Sequence, residues 1–591
     1  MIKRISAVAL GLALLGGVLA SRASADELGK GREIKHVLLI SIDGMHAVDY
    51  ENCVASKTCP HLAALGRTGV HYTRTTTSRP SDSFPGLMAI VTGGSPRTVG
   101  AFYDVAYDRV LAPPKTATGN GLPGGSCNLN VINGTQTEYE EGNEIDQSKL
   151  NGGFAGYSTI DGGVKSINPD RLVRDPFNNC KPVYSWNFVR TNTIFGVIHA
   201  AGGYTAWSDK HAAYASVSGP TGTDQPSNVD DYYSPEVNSL QIVLPGIKTA
   251  ALSPEASFDC GTLVPNGDDW TTDFNAIKCN DQLKVNAVLN QIHGRTHLGA
   301  SRAPVPSIFG MNFQAVSVGQ KLIEPASAVR TDANTGGYED AQATPRPKML
   351  AEIQFVDAAI GQMVAALKHE GLFDSTTIII TAKHGQSPID PNRFFPIPGK
   401  SGNNGTPPSG IIGNFLPAVY NDPNNGLGLA EDDISQIWLA NSNRTADAVA
   451  ALENAATAIG LGQIYYGASL NTLFNPPGVP ENPGPCCKLR EGGDPRTPDI
   501  VEIPNYGVVY TGNLKKQSEH GGFAWDDTNV MLLVSNPDIE ARTINSFVET
   551  AQVAPTILKI LGLDPKALDA VRLEGTPVLP ALFNAGDHND K

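Results

Sequence analysis

The chain has 591 residues, 41% of them hydrophobic and 17% charged, with a formal net charge of −15. A composition this apolar folds rather than staying disordered, and an acidic chain is a poor non-specific partner for a nucleic-acid duplex. An anionic substrate therefore needs a local cationic site, either a metal or a few basic side chains.

The N-terminus, "MIKRISAVALGLALLGGVLASRASADE", reads as a secretory signal. Lys3 and Arg4 form a basic n-region, Ile5 to Ala20 an apolar run, and Ala23-Ser24-Ala25 a small-x-small cleavage site. Residues 1–25 are the expected signal peptide, and a mature chain starting near Asp26 is expected to be secreted or periplasmic. The alternative is a membrane anchor, for which the run falls short of the ~20 residues a span needs. No later segment reads as a transmembrane anchor. Loss of Lys3, Arg4 and Arg22 takes the formal charge from −15 to −18.

All eight cysteines follow the cleavage site. An even count in an oxidising compartment favours disulfides, and the lack of paired CxxC spacing argues against a zinc ribbon. Proximity in sequence suggests Cys53–Cys59, Cys127–Cys180 and Cys260–Cys279, leaving Cys486 and Cys487 as a vicinal bridge or as two thiols paired elsewhere.

Three apolar runs, "HVLLISIDGM" (His36–Met45), "STTIIITAKHGQ" (Ser375–Gln386) and "NVMLLVSNP" (Asn529–Pro537), have the pattern of buried parallel strands. "MLAEIQFVDAAIGQMVAALKHEGLF" has helical spacing and a stop at Gly371, and "VAPTILKILGL" reads as a helix ending at Gly562. Strand–helix alternation at both ends predicts an α/β fold, one domain over 26–591 with a largely parallel sheet between helices. Loop-rich stretches at about 112–304 and 387–517 read as cap-like insertions. In such sheets the ligand crevice lies just after strand C-termini, where Asp43, Lys383 and His384 fall. "PSDSFPG" places Ser83 at a helix start, as a nucleophile or as a simple cap.

In order, "SIDG", "DSFPG", "KHGQ", "EHGGF" and "APTILKILG" resemble the motifs of the alkaline phosphatase superfamily, and most closely its type I phosphodiesterase/nucleotide pyrophosphatase branch. The resemblance covers roughly His36 to Leu563. It implies an alkaline-phosphatase-like sandwich, and an exported hydrolase of phosphate esters acting on a small phosphate-ester or nucleotide-like substrate. It also implies catalysis through a covalent phospho-enzyme at two zinc ions. Carried over residue by residue, Ser83 matches the nucleophile, and Asp43, Ser83, His384 and His520 match metal-ligand positions. A serine at a helix N-terminus also has backbone N–H groups nearby for phosphate oxygens.

The chain departs from the pattern in four places. The family's Asp-His-Gly is Lys383-His384-Gly385 here, and its Asp-x-x-x-His falls in "GMNFQAVSVGQK", at Val316 and Gln320, with Asn312 nearby. The Asn after Phe-Pro is Gly86. An ammonium at ~4 Å from a dication meets repulsion on the order of 4 kcal/mol per unit charge pair at an effective ε of about 20. The expected site is therefore metal-depleted, holding one divalent ion, zinc by resemblance, or none, with Lys383 standing in for a metal charge. Two alternatives stay open, a catalytically decayed binding module on the same fold and a sulfatase-like hydrolase. For the latter, "SRPSD" has Asp82 where the sulfatase motif has arginine. A Ser-His-Asp acyl hydrolase is disfavoured because no serine sits in a G-x-S-x-G elbow.

Overall fold

The run "HVLLISI" forms the strand His36–Ile42, buried almost throughout. Successive side chains of a strand point to opposite faces. Val37 and Leu39 thus enter one apolar core with Phe84, Leu87, Ile379, Ile557 and Leu558. Leu38, Ile40 and Ile42 enter a second core with Phe309, Ile353, Val356, Ile360 and Ile380. A continuous apolar run is what a strand covered on both faces requires. The computed structural model describes residues 33–583 except 140–141, 143, 151–162, 240–243, 245, 264–269, 325–333, 398–405, 423–427, 475–493 and 511–515. The expected signal peptide and the pair Cys486 and Cys487 lie outside the described residues.

The central sheet has eight strands. In spatial order they are Arg542–Ile544, Gly69–Tyr72, Leu533–Ser535, Thr376–Thr381, His36–Ile42, Ile308–Phe313, Ala206–Ser208 and Asp231–Tyr233. His36–Ile42 runs parallel to both neighbours, pairing Ser41 with Asn312 on one side and with Thr381 on the other. This register brings Asp43, Gln314 and the segment Lys383–His384 to one edge of the sheet, the C-terminal edge expected to carry the crevice.

Two expectations about the central sheet are corrected. Leu533–Ser535 is antiparallel to both of its neighbours; a two-faced apolar run reports burial, not direction. The stretch 112–304 is also not wholly an insertion. It supplies the sheet strands Ala206–Ser208 and Asp231–Tyr233, and the 19-residue helix Phe274–Ile292, whose Ile277, Val285 and Val288 join the second core. Three-residue strands are too short to leave an apolar signature.

The helix Pro347–His369 packs beside Phe274–Ile292 and ends at Gly371 (φ +70°). By length and a hydropathy of 1.4 it is apolar enough to cross a membrane, contrary to expectation, yet 61% of that window is buried inside the protein. A helix covered on most sides is apolar on most sides. Ser83–Thr92 and Val553–Ile560 cover the other face of the sheet.

Within 387–517 a separate four-stranded antiparallel sheet orders Ala430–Glu431, Ser435–Ile437, Ile500–Pro504 and Leu461–Tyr466 around Trp438, Leu452 and Ile500. Its first hairpin carries Asp432 to Tyr103 and Asp433 to Ser387, beside the crevice. Three disulfides join Cys53–Cys59, Cys127–Cys180 and Cys260–Cys279, the pairs suggested by proximity.

Candidate active site

Asp43 follows the first strand and is fully buried. Its Oδ2 accepts from Asn312 Nδ2 at 3.1 Å and from Gln314 Nε2, while Oδ1 has no hydrogen-bond partner among the described residues. Lys383 Nζ lies 4.0 Å and His384 Nε2 3.6 Å from the same Oδ2. Burial opposes ionisation here, but the charges of Lys383, His384 and Lys210 outweigh it and hold the carboxyl well below the usual range. His384 faces Asp43 through Nε2 because its Nδ1–H is directed to the Gly385 carbonyl at 2.9 Å.

Ser83 opens its helix as the first residue, fully buried. The cap is the neighbouring Asp82, whose carboxylate accepts from Phe84 N at 3.2 Å and from Asp104 N at 3.0 Å. The capping role that Ser83 would otherwise fill is therefore taken, and its Oγ instead receives Lys210 Nζ at 3.4 Å. His520 packs on His384 with ring centroids 4.0 Å apart, and its Nδ1 is 3.5 Å from Asp82 Oδ1. Sequence separations of several hundred residues thus close into one cluster of Asp43, Ser83, Lys383, His384 and His520.

Two further residues that contact this cluster escape sequence reading. Asp209 and Lys210 follow the strand Ala206–Ser208, inside the stretch taken for an insertion. The Lys383 ammonium sits on Asp209 at 3.0 and 3.1 Å and 3.8 Å from the ring centroid of Tyr214, a cation–π contact. The available signal was an Asp-Lys pair directly after "YTAWS", the position after a strand that was already noted for Asp43. Lys210 and Lys383 together match the formal charge of Asp43 and Asp209.

The tentative ligands separate. Asn312 points at Asp43 and orients it. Gln320 does not; its Nε2 donates to the Gly44 carbonyl at 2.6 Å and to Tyr338 Oη at 2.8 Å. Tyr338 and His46 both bond Asp49, His46 at 3.0 Å, and His46 Nε2 meets Gln386. Burial opposes protonation of His46, but Asp49 raises its pKa. Beneath Gln314, the buried pair Asp281–Lys284 (2.8 Å) fixes the register, because Asp281 accepts from the backbone N–H of Gln314 and Ala315.

Gly86 has a steric reason. A Cβ at that position would stand 2.1 Å from the Lys383 carbonyl oxygen, so the helix backbone and the end of the Thr376–Thr381 strand touch directly. Below the His520 loop, a Cβ on Gly522 would meet Asp527 Oδ2 at 2.1 Å and Asp433 Cβ at 3.0 Å. Burial, and then the facing carboxylate of Asp527, push the Asp433 carboxyl well above its ordinary range, and burial does the same to Asp527.

These residues do not fit a two-zinc centre. Lys383 holds a positive charge 4.0 Å from the one carboxylate that would bind the ion, and both tentative positions in Val316–Gln320 lack a ligand aimed at the site. Among the described residues, the His, Cys, Asp and Glu side chains whose ligand atoms converge as a set of three lie elsewhere. A cleft of about 400 Å³ opens over the cluster, lined among others by Lys210, Gln314, His520, Lys321, Lys516 and Glu519.

The family model for type I phosphodiesterase/nucleotide pyrophosphatase matches residues 37–123 and 336–526. These segments contain Asp43, Ser83, Lys383, His384 and His520. No curated protein sequence matches the chain. Among solved structures the chain is similar to murine ectonucleotide pyrophosphatase/phosphodiesterase 5, at 15% identity and a TM-score of 0.49, covering 90% of this chain and 96% of that one. It is also similar to the alkaline phosphatase PafA, at 11% identity and a TM-score of 0.48, covering 90% of this chain and 96% of that one.

Proposed function

We propose that the chain, which matches the type I phosphodiesterase/nucleotide pyrophosphatase model over residues 37–123 and 336–526, is an exported phosphoester hydrolase working through Ser83, with lysine charge where that family's pattern has metal. The observation that carries this reading is the 3.4 Å approach of Lys210 Nζ to a Ser83 Oγ that the helix does not use as its cap. In the proposed reaction the Oγ–P bond forms as the bond from phosphorus to the leaving oxygen breaks, the Ser83 hydroxyl proton ending on that leaving oxygen; water then hydrolyses the phosphoserine, releasing the phosphate and restoring the serine hydroxyl. A phosphoryl group in transfer gathers negative charge that preorganised cations stabilise. Lys210 is in position to do so directly. Lys383 acts from beside Asp43, and His520, packed on His384, lines the cleft. Asp43, oriented by Asn312 and Gln314, holds these cations in place.

The substrate expected is a small phosphate ester or nucleotide-like molecule entering by the cleft. The three disulfides support an exported protein. The decayed-module reading has one observation in its favour: each buried lysine already faces a carboxylate or hydroxyl, so the cluster is charge-balanced without substrate. The sulfatase reading gains nothing from Ser78, which bonds the Pro80 carbonyl and lines a different small cavity. The deciding experiment assays p-nitrophenyl phosphate, bis-p-nitrophenyl phosphate and p-nitrophenyl sulfate with wild type and Ser83→Ala, and traps the acid-quenched intermediate for peptide mass spectrometry. Phosphate on Ser83 supports the proposal. Turnover by the alanine variant at the wild-type rate refutes it, and binding of phosphate without any turnover identifies the decayed module.

A further inference from the structure

The two long helices on the second face of the sheet, Phe274–Ile292 and Pro347–His369, lie side by side. Each leads into a parallel strand, Ile308–Phe313 and Thr376–Thr381, so their C-termini gather at the sheet edge opposite the Asp43 cluster. There His293, the C-cap of the first helix, meets His369 and Glu370 at the end of the second. His293 Nδ1 lies 2.8 Å and His369 Nδ1 3.0 Å from the same Glu370 Oε1. The two rings stand nearly perpendicular, 79° apart, at 6.3 Å between centroids. The ligand atoms of all three residues fall within 4.8 Å of one another, and all three are exposed.

We propose that His293, His369 and Glu370 form a surface site for a divalent transition metal of the zinc class, separate from the reaction centre, that ties the two helix ends together. Two imidazole nitrogens and one carboxylate are a three-ligand set that zinc accepts with water in the remaining position, and imidazole favours such metals over magnesium or calcium. Both contributing helices present their C-termini, whose partial negative charge favours a cation. The imidazoles already converge on one carboxylate oxygen, so small side-chain rotations replace the shared oxygen contact with a shared ion. The cluster lies at the sheet edge opposite Asp43, so the metal here takes no part in phosphoryl transfer.

The test uses the full mature protein, freed of metal with a chelator and titrated with zinc chloride alone by calorimetry, with thermal unfolding measured in parallel. Wild type is expected to bind one zinc that His369→Ala and His293→Ala each weaken by at least about tenfold, since even an outer-shell partner of a metal ligand is worth ~10–100-fold. Zinc should also raise the unfolding temperature of wild type and leave that of both variants unmoved. Both side chains are exposed, so neither substitution disturbs the core. Ser83→Ala should keep the binding, which separates this site from the reaction centre. Equal zinc binding by wild type and both histidine variants, or none by wild type, overturns the proposal.

Discussion

Asp43 stands between two polar regions of opposite construction. On one side Lys383, Asp209 and Lys210 place buried charges around the Ser83 hydroxyl, and Lys210 reaches the wall of an open cleft. On the other, Gln320, Tyr338, His46 and Asp49 bond mainly to one another and to the backbone of Gly44 and Gln386. By resemblance both regions correspond to places where relatives hold metal. In the first, buried lysines face carboxylates and a serine hydroxyl; in the second, the amide of Gln320 is bonded into the scaffold. If the proposed function holds, the first region substitutes lysine charge for a metal while the second has become structural.

The sharpest way to break the comparison is Ser83→Ala. If the charged side is the reaction centre, phosphoester turnover falls on the order of 10³-fold or more, as it does when a covalent nucleophile is removed, with the unfolding temperature unchanged.

Lys383→Met comes next. It strands Asp43 and Asp209 in a buried site, and breaking such a pair costs about 3–5 kcal/mol, read as a lowered denaturation midpoint together with depressed activity. Lys383→Asp, made in the His369→Ala background to remove the surface site, gathers three carboxylates and should show a zinc-dependent rise in unfolding temperature that the Lys383 parent lacks.

The third test is pH. Asp433 and Asp527 retain protons in the folded state that the unfolded chain has released, so the native state binds more protons above the ordinary carboxylate range. Their contribution to stability is greatest in mild acid and declines as pH rises toward and past neutrality. Glu352 and Glu502, each pushed up to about 8 by burial, act in the same direction. Thermal midpoints should fall between about pH 5 and 8, and Asp433→Asn should flatten part of that slope. An unchanged slope would mean that Asp433 does not retain its proton in the folded state.

The smallest effect is expected for Gln320→Ala. It removes buried bonds to Gly44 and Tyr338 and should cost about 1–3 kcal/mol of stability, while turnover per folded molecule changes far less than in Lys383→Met. A collapse of activity at intact stability would place Gln320 on the charged side after all.

Sequence patterns carried the frame of this molecule further than its site. His36–Ile42, Thr376–Thr381 and Pro347–His369 were legible because burial on two faces, or on most of a helix, leaves a long apolar signature. Asp43, Ser83, His384 and His520 were legible because they stand at strand and helix ends in a familiar order. Asp209 and Lys210 were not, since the three-residue strand that positions them has no periodicity to read. The partner of Lys383 was invisible for the same reason, although the lysine itself stood out as a reversal of charge. The direction of Leu533–Ser535 was hidden because apolar runs do not encode polarity of the chain.

The contact between Gly86 and the Lys383 carbonyl has a consequence for the history and the engineering of this site. With only 2.1 Å available to a Cβ, residue 86 cannot regain a side chain while the backbone at 383 stays where it is. Reintroducing the amide that relatives carry there would force the helix and the strand end apart, moving Ser83 away from Lys210. The two positions are therefore coupled through main-chain atoms, so that a side chain at 86 and the present backbone at 383 exclude one another. A ligand exchange at 383 leaves this contact untouched, whereas any side chain at 86 requires the turn after Thr381 to shift first.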